Sequence, residues 1–469
     1  MSERYDVAVV GAGVIALACA EELLTRGLSV GIVGAYAGDH AGQATRAAGA
    51  MLSTFSEIEP GHDNQRIAVE TAERLAAHAA YPGWLERLSR HHAPALTMVP
   101  GTWVLAPAGR HEHLAPIAAA AREAGHPAEE HDARQIPGLQ APADIAGALW
   151  LPTEARIDSA ALMDALARVV RRHPRAEWHD TTAAQVTTGR VRCADGSEVR
   201  AKQIVVAAGS ATSSLLSDGG RAVGLPPVLA GRGASMVLHT PAVRLPYVVR
   251  TSNAAFACGA HLVPRADGSL YLGATNRLTT GHDHTRTATL DELSVLVREA
   301  SMLLDARLAS AELRGYRSGN RPYTLDHLPL LGRTADPSLL VATATYRCGI
   351  MLAPRIAALI ADEITTAGAL DDHPYRALRP MPTPQISKVL HGAGDALLEH
   401  LLQGGASLPA PMAEQLAGFV DLALRALLHD DCASGSALRR LWRSVPVIEA
   451  VPALFALPAR MKDTTDGRH

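Results

Sequence analysis

The chain has 469 residues, which is too long for one ordinary hydrophobic core and indicates at least two domains. Hydrophobic residues make up 48% of the chain and charged residues 19%, as is typical of a soluble globular protein with ample apolar area for a core. The formal net charge of -3 gives no reason to expect nucleic acid or an anionic membrane as a partner.

The five cysteines are scattered and form no CxxC pair, so neither a disulfide framework nor a zinc site is indicated. Charged residues interrupt every long apolar stretch, and no signal peptide precedes the first predicted strand. We therefore expect a cytoplasmic protein with no metal and no membrane segment.

The predicted elements open with a strand, a glycine turn, a helix and a second strand, at residues 7–10, 11–16, 17–26 and 28–33. Further helices are predicted at 68–80, 114–124, 158–172, 289–304 and 351–364. Further strands are predicted at 97–105, 203–208, 237–239, 261–264, 270–273 and 339–343. Residues 185–199 predict a β-hairpin, because Asp195 and Gly196 are typical of its turn.

The glycine turn carries the pattern GxGxxG/A from Gly11 to Ala16. Gly11 permits a tight turn, Gly13 lets the backbone approach a pyrophosphate, and Ala16 allows the helix to pack closely on the strand. An ordinary glycine turn is the competing interpretation of so short a motif. The position of the motif between a predicted strand and helix favours nucleotide binding.

One part of a nucleotide site is absent from the sequence. The second strand of such a unit usually ends in Asp or Glu, which binds the ribose hydroxyls. Here Val33 is followed by Gly34 and Ala35, and Asp39 lies beyond the expected strand end. Either a water molecule or a backbone group replaces the carboxylate, or the dinucleotide binds less tightly.

Two segments late in the core decide which nucleotide is expected. Residues 319–332 read GNRPYTLDHLPLLG and residues 344–354 read ATYRCGIMLAP. With AAGAML at 47–52, HLVPR at 261–265 and GAT at 273–275, these segments resemble the motifs of glycine oxidases in the same order. The similarity covers about residues 5–380. On these motifs the chain resembles the D-amino acid oxidase family of FAD enzymes, near the glycine oxidase branch.

The resemblance implies an α/β plus α+β fold, in which a Rossmann-like FAD-binding domain is interleaved with a substrate-binding domain built on an antiparallel sheet. The FAD-binding domain is expected at residues 1–60, 145–225 and 315–380, and the substrate-binding domain at 61–144 and 226–314. Residues 381–469 have helical apolar spacing and predict a helical C-terminal extension. The extension is expected to stabilise the core or an oligomer, or alternatively to cover the substrate entrance.

The resemblance also implies which residues contact FAD along its adenine, pyrophosphate and flavin parts. These residues are Gly11, Gly13, Val14, Ile15, Ala16, Gly34, Ala35, Thr45, Arg46, Gly49, Ala50, Met51, Ala183, Thr345, Tyr346, Arg347, Cys348, Gly349, Ile350 and Met351.

Three side chains are candidates for substrate binding and catalysis. Arg321 matches the family's substrate-carboxylate arginine, whose planar fork can bind both oxygens, and a surface arginine before proline is the alternative. Arg347 corresponds to a second active-site arginine, for which a flavin-positioning or ion-pair role competes with substrate contact. His261 replaces a carboxylate-binding tyrosine, and it is expected either to donate to the substrate carboxylate or to be a rim residue.

Two further positions depart from the family's pattern. Thr345 replaces the usual histidine, and Cys348 replaces the usual asparagine. We expect Cys348 to be a small packing residue rather than a covalent flavin anchor. Together with His261, these changes argue against simply assuming glycine as the substrate.

The implied activity is FAD-dependent oxidation of the Cα–N bond of an amino acid or N-substituted amino acid. The imine product is hydrolysed to an oxo acid and an amine, and O2 is reduced to H2O2. A secondary amine or a hydrazine-type N–N compound from a biosynthetic pathway is one candidate substrate. A dehydrogenase with a non-oxygen acceptor and a non-catalytic flavin-fold scaffold are the alternatives, and a homo-oligomer is left open.

Overall fold

The structure is a computed structural model that describes residues 5–380, with gaps at 37–41, 60–62, 91–93, 107–110, 144, 146, 217–222, 227, 254–258, 280–286 and 325. The predicted helical extension at 381–469 and the candidate ribose ligand Asp39 lie outside the described residues. No described helix combines the length and the apolar character that a membrane span requires.

The described strands are, in chain order, β1 (Tyr5–Val10), β2 (Val30–Val33), β3 (Gly42–Gln43), β4 (Met51–Leu52), β5 (Val99–Leu105), β6 (Glu129–Asp132), β7 (Gly147–Arg156), β8 (Ala176–His179), β9 (Ala183–Thr187), β10 (Arg190–Cys193), β11 (Glu198–Val206), β12 (Leu229–His239), β13 (Val248–Thr251), β14 (His261–Pro264), β15 (Leu270–Gly273), β16 (Arg277–Thr279), β17 (Glu312–Tyr323), β18 (Leu330–Arg333) and β19 (Leu339–Thr343).

The described helices are α1 (Val14–Thr25), α2 (Ala44–Ala47), α3 (Asn64–Ser89), α4 (Leu114–Glu123), α5 (Ser159–Arg172), α6 (Thr212–Leu215), α7 (Leu290–Glu299) and α8 (Gly349–Thr365). A π-helical turn continues α7 over Ala300–Leu304. Short 3-10 helices lie at His111–His113, Ala133–Gln135, Gly209–Ala211 and Ala306–Ser310.

The first sheet has eight strands and a mainly parallel core in the order β19-β11-β1-β2-β8. The antiparallel strand β18 borders β19, and the hairpin of β9 and β10 extends from β11. The predicted opening βαβ unit is confirmed, because β1 and β2 pair in parallel and α1 connects them. Parallel pairing brings the carboxyl ends of β1, β2, β11 and β19 to one edge, which is where such sheets bind ligands.

Helix α1 is apolar around most of its circumference because it lies between the sheet and other helices. From Val14 to Leu24 only Glu22 is not buried. Residues of α3, α5 and α8 belong to the same core cluster as α1. The predicted amphipathic helix α5 begins at an N-cap, where the Asp158 carboxylate accepts from the backbone N–H groups of Ala160 and Ala161.

The second sheet has eleven strands and is largely antiparallel. Nine of them follow the order β3-β17-β12-β15-β14-β13-β5-β7-β4, while β16 pairs with β12 and β6 pairs with β7. Its longest pairing joins β12 to β17, and the sequence predicted only the end of β12 and none of β17. Glycines and a proline in β17 obscure the strand pattern, since both residue types are depleted in strands. The predicted fold class, a Rossmann-like sheet combined with an antiparallel sheet, is confirmed.

Candidate active site

A cavity of about 390 Å³ lies where the carboxyl edge of the first sheet meets β12, β14 and β17 of the second sheet. Its wall includes the segments after β1, β2, β11 and β19, residues 42–45 and 47–51, and the start of α8. All residues for which the sequence predicts cofactor or substrate contact line this cavity except Ala16 and Arg46. The tertiary structure therefore brings together segments that are up to about 340 residues apart in the chain.

Two helix N-termini meet this cavity. Gly13 precedes α1 and Cys348 precedes α8, and neither helix has a side-chain cap or an acidic residue in its first turn. The backbone N–H of Val14 donates to Thr45 Oγ1 over 3.3 Å. Helix N-termini favour anionic groups, so these residues fit a dinucleotide with a negatively charged pyrophosphate.

Gly34, which follows β2, cannot be replaced by a larger residue for a steric reason. A Cβ atom at Gly34 would lie 2.7 Å from the carbonyl carbon and 2.8 Å from the carbonyl oxygen of Gly11. Gly11 is itself held in the left-handed region with φ of 131°, close to the backbone of Ala207. An Asp or Glu at position 34 is therefore incompatible with this packing, which explains why the usual ribose-binding acid is missing there.

Two predicted cofactor residues lie beside the cavity but not in its lining. Ala16 is fully buried and packs against Gly11, as the motif predicted. The Arg46 guanidinium carbon lies 4.8 Å from the centre of the Tyr36 ring, and the Arg46 carbonyl accepts from Arg317 Nη1 over 2.8 Å. The hydrogen bond to the Arg46 carbonyl joins α2 to β17.

Arg321 projects from β17 across β12 into the cavity wall. Its guanidinium lies over Gly233, where a Cβ atom would be only 2.1 Å from Arg321 Nη1. Nη1 donates to the carbonyl of Thr275 over 3.0 Å and to Asn276 Oδ1 over 3.1 Å. Asn276 Nδ2 in turn donates to the hydroxyl of Tyr346 over 2.6 Å. These contacts hold a guanidinium on the wall of the cavity.

Arg347 is buried and lies between two carboxylates. Its Nε is 3.5 Å from Glu57 Oε2, and its Nη2 forms an ion pair with Glu59. The guanidinium carbon also lies 4.6 Å from the centre of the Tyr346 ring. The sequence allowed either substrate contact or a flavin-positioning or ion-pair role for Arg347, and the geometry observed here is that of an ion pair.

Glu57 and Arg250 are site residues that the sequence analysis missed. Glu57 lines the cavity, and its Oε1 accepts from Arg250 Nη1 over 2.6 Å. Arg250 Nη2 also donates to Asn253 Oδ1 over 2.6 Å. Burial opposes ionisation of Glu57, but the charges of Arg250 and Arg347 outweigh it and lower the pKa of Glu57 to about 2. The signal in the sequence was an arginine inside the otherwise uncharged strand VVRT of β13.

His261 begins β14, and its ring lines the cavity. Nδ1 lies 3.1 Å from the carbonyl oxygen of Gly259, and the ring stacks on Tyr271 with 5.6 Å between ring centres. Burial and the nearby charge of Arg250 lower the pKa of His261 to about 3. In a neutral ring whose Nδ1–H donates to Gly259, the remaining nitrogen, Nε2, can only accept a hydrogen bond.

Thr345 and Cys348 form the turn that enters α8. The backbone N–H of Cys348 donates to the carbonyl of Thr345 over 2.9 Å, and both residues line the cavity. Burial raises the pKa of the Cys348 thiol. A protonated, partly buried thiol fits the packing role that the sequence predicted.

The fold and the cavity together define a class: an enzyme that holds a dinucleotide against an antiparallel sheet carrying cationic side chains. The FAD dependent oxidoreductase family matches residues 6–363, and the chain belongs to this family. It is therefore an FAD-dependent oxidoreductase, and FAD is its cofactor.

Several proteins of known structure or sequence are similar to this chain. Glycine oxidase from Geobacillus kaustophilus is 27% identical over 382 residues, which are 77% of this chain and 93% of that protein. Its crystal structure aligns with a TM-score of 0.70 over 81% of this chain and 100% of that chain. The bifunctional protein ThiO/ThiG from Synechocystis is 29% identical over 377 residues, which are 78% of this chain and 52% of that protein. The structure of iminodiacetate oxidase from Chelativorans, at 21% identity and a TM-score of 0.66, shares the fold.

Proposed function

We propose that this enzyme oxidises the Cα–N bond of a small amino acid, in the manner of glycine oxidases, and that N-substituted glycines are its preferred class of substrate. Substrate, water and O2 would give an oxo acid, an amine and H2O2. The similarity to the glycine oxidase from Geobacillus kaustophilus, in sequence and in structure, supports oxidation of a Cα–N bond. The small side chains of Thr345 and Cys348 on the cavity wall support a substituent on the substrate nitrogen.

The position of Arg321 is the observation that carries the proposal. Its guanidinium lies on the cavity wall, steadied by Thr275 and Asn276. A planar guanidinium binds a carboxylate through two parallel hydrogen bonds, which fixes both the position and the orientation of the substrate. Arg321 therefore serves as the carboxylate anchor.

Arg347, Glu57 and Glu59 take a supporting role in this proposal. Because Arg347 is neutralised by two carboxylates, it positions the segment 345–348 beside the cofactor rather than adding a free charge to the pocket. Arg321 and the segment 345–348 line the same cavity, so this segment would border a substrate that Arg321 aligns.

When bound, FAD supplies the two-electron acceptor that the protein side chains lack. The glycine turn and the N-terminus of α1 would hold its pyrophosphate, and residues 345–351, which include the N-terminus of α8, would border its ring system. No side-chain base at Cα is assigned, since positioning of the Cα–H bond by Arg321 accounts for the chemistry. The division into an FAD-binding and a substrate-binding domain remains part of the same proposal.

The test is an anaerobic screen of the yellow holoenzyme against glycine, N-methylglycine, larger N-alkylglycines and hydrazinoacetate. We expect the absorbance of the flavin to bleach fastest with an N-monosubstituted glycine, and peroxide to appear in equal amount to the oxo acid under air. Bleaching without peroxide would indicate a non-oxygen acceptor. If no carboxylate-bearing amine bleaches the flavin, the proposed substrate class is wrong.

A further inference from the structure

The hydrogen-bonding state of the His261 ring is determined by its surroundings. The carbonyl oxygen of Gly259 can only accept a hydrogen bond, so Nδ1 at 3.1 Å must carry the proton and donate. A neutral imidazole with its hydrogen on Nδ1 has a lone pair on Nε2. His261 therefore presents a hydrogen-bond acceptor to the cavity that its ring lines.

The groups packed around the ring keep it neutral. Arg250 faces His261 from β13 as its partner in register, Arg321 approaches from β17, and the uncharged Tyr271 stacks on it from β15. Both arginines disfavour an imidazolium, and burial disfavours it more strongly than either arginine. Glu57 acts in the opposite direction but is already paired with Arg250.

The acceptor and the proposed carboxylate anchor lie on the same face of the second sheet. A Cβ atom at Gly273 would be 2.7 Å from His261 Nε2, and Gly273 pairs with Ser235 on β12. The residue under the Arg321 guanidinium is Gly233, two positions before Ser235 on the same strand. Alternate residues on a strand share a face and are roughly 7 Å apart. One small amino acid can therefore reach both groups.

We infer that His261 Nε2 accepts a hydrogen bond from the N–H of the substrate's reacting nitrogen and selects primary and monosubstituted amines over disubstituted ones. This inference rests on the proposed function. A neutral secondary amine has one N–H and one lone pair. When the N–H is held by Nε2, the lone pair is directed away from His261 and is available to assist loss of hydride from Cα. A neutral N,N-dialkylglycine has no N–H to offer.

The experiment uses the FAD-loaded full chain as wild type, His261→Phe and His261→Gln. Acetate, which has a carboxylate and no N–H, is titrated into each protein and followed by the change in flavin absorbance. Anaerobic flavin reduction is measured with the fastest N-monoalkylglycine of the screen and with its N,N-dialkyl counterpart. Phenylalanine removes the acceptor and keeps an aromatic ring for Tyr271, whereas the glutamine amide oxygen can still accept.

We expect kcat/KM for the monoalkyl substrate to fall about tenfold in His261→Phe, the effect of one lost hydrogen bond, and to be partly restored in His261→Gln. The preference for the monoalkyl over the dialkyl substrate should fall by the same factor. The Kd of acetate should change less than twofold, with the same pH dependence in wild type and variant between pH 6 and 8.

Three results would overturn the inference. Acetate binding that weakens as much as the amine reaction would make His261 a carboxylate ligand. A difference in acetate affinity that grows as the pH falls would indicate a protonated ring. An unchanged preference in both folded, yellow variants would make His261 a rim residue. Failure of the proposed function is a separate observation, since the wild-type flavin would then not be bleached by any amine of the screen.

Discussion

Arg250 Nη1 and Glu57 Oε1 lie 2.6 Å apart at the base of the cavity wall, and both side chains are buried. The second oxygen of Glu57 faces Arg347, so one carboxylate balances a cation from β13 and a cation from the turn before α8. This pair connects the antiparallel sheet to the segment that borders the cofactor. Charges buried in this way are stable only together.

Removing the carboxylate should therefore destabilise the fold. We expect Glu57→Gln to lower the free energy of unfolding by about 3–5 kcal/mol, because it removes the carboxylate that pairs with the buried Arg250 guanidinium. Urea unfolding followed by circular dichroism measures the change. The matched control is Glu198→Gln, whose carboxylate also contacts two arginines but at the surface, and it should cost less than about 1 kcal/mol.

A double-mutant cycle checks that the loss comes from the pair. We expect Arg250→Met to be destabilising alone, and Glu57→Gln combined with Arg250→Met to cost clearly less than the sum of the two single changes. If the two costs simply add, the two side chains are not energetically coupled and this account of the cavity wall is incorrect.

The carboxylate anchor can be tested directly. We expect Arg321→Leu to lower kcat/KM for the best amine by two to three powers of ten, since a charged hydrogen bond contributes about 1.5–3 kcal/mol and the guanidinium can form two. Arg321→Lys should restore only part, because an ammonium lacks the planar fork. Arg314→Leu is the matched control, since Arg314 is on the same strand, is exposed and pairs with Glu312. Equal kinetics in Arg321→Leu and Arg314→Leu would place the carboxylate elsewhere.

The glycine after β2 should be intolerant of any side chain. We expect Gly34→Ala to lower the flavin content of the purified protein, and Gly34→Asp to lower it further, because the added atoms meet the backbone of Gly11. The ratio of flavin to protein absorbance measures this. Gly83→Ala is the control, since nothing lies within 4 Å of a Cβ at that helical position. Full flavin content in Gly34→Asp would show that the backbone of Gly11 can move enough to accommodate an acidic side chain at position 34.

The pKa of His261 has a consequence for stability. Because the pKa is about 3 in the folded protein and 6.5 ordinarily, the unfolded chain binds the proton first as the pH falls. This contribution to stability is therefore present above pH 6.5 and is lost on acidification, by roughly 1.4 kcal/mol at pH 5.5. The His261→Phe variant should lack this contribution to the decrease in stability on acidification. Urea unfolding of both proteins at pH 7.5 and 5.5 gives the comparison, and a stability difference that does not vary with pH would contradict the neutral ring.

Cys348 should leave the flavin unattached. Burial raises the pKa of its thiol, so little of the reactive thiolate forms at neutral pH. We expect acid precipitation to release all the FAD into the supernatant, and the mass of the denatured chain to match the amino-acid sequence. Cys348→Ser should keep the wild-type flavin content. A mass increase corresponding to FAD, absent from Cys348→Ser, would instead identify a covalent bond.

The sequence by itself determined the opening βαβ unit, the family and several segments of the cavity lining. These depend on short contiguous patterns: a glycine turn between two apolar runs, and motifs in which neighbouring residues act together. Local patterns of this kind survive in the sequence because each one specifies the backbone of its own segment. Strands such as β14, β15 and β19 were predicted with the observed bounds for the same reason.

Only the tertiary structure decided the electrostatics of the site. Glu57, Arg250 and Arg347 are as much as 290 residues apart in sequence, and no local pattern indicates that they share one buried network. The protonation of His261 depends on Gly259, Arg250 and burial. The sequence therefore suggested a side chain that donates to a substrate carboxylate, whereas in the folded chain Nε2 is a hydrogen-bond acceptor. The need for glycine at position 34 was likewise not visible in the sequence, because it arises from the short distance to the backbone of Gly11. Charge state and free space are properties of packed neighbours, and those are known only once the chain is folded.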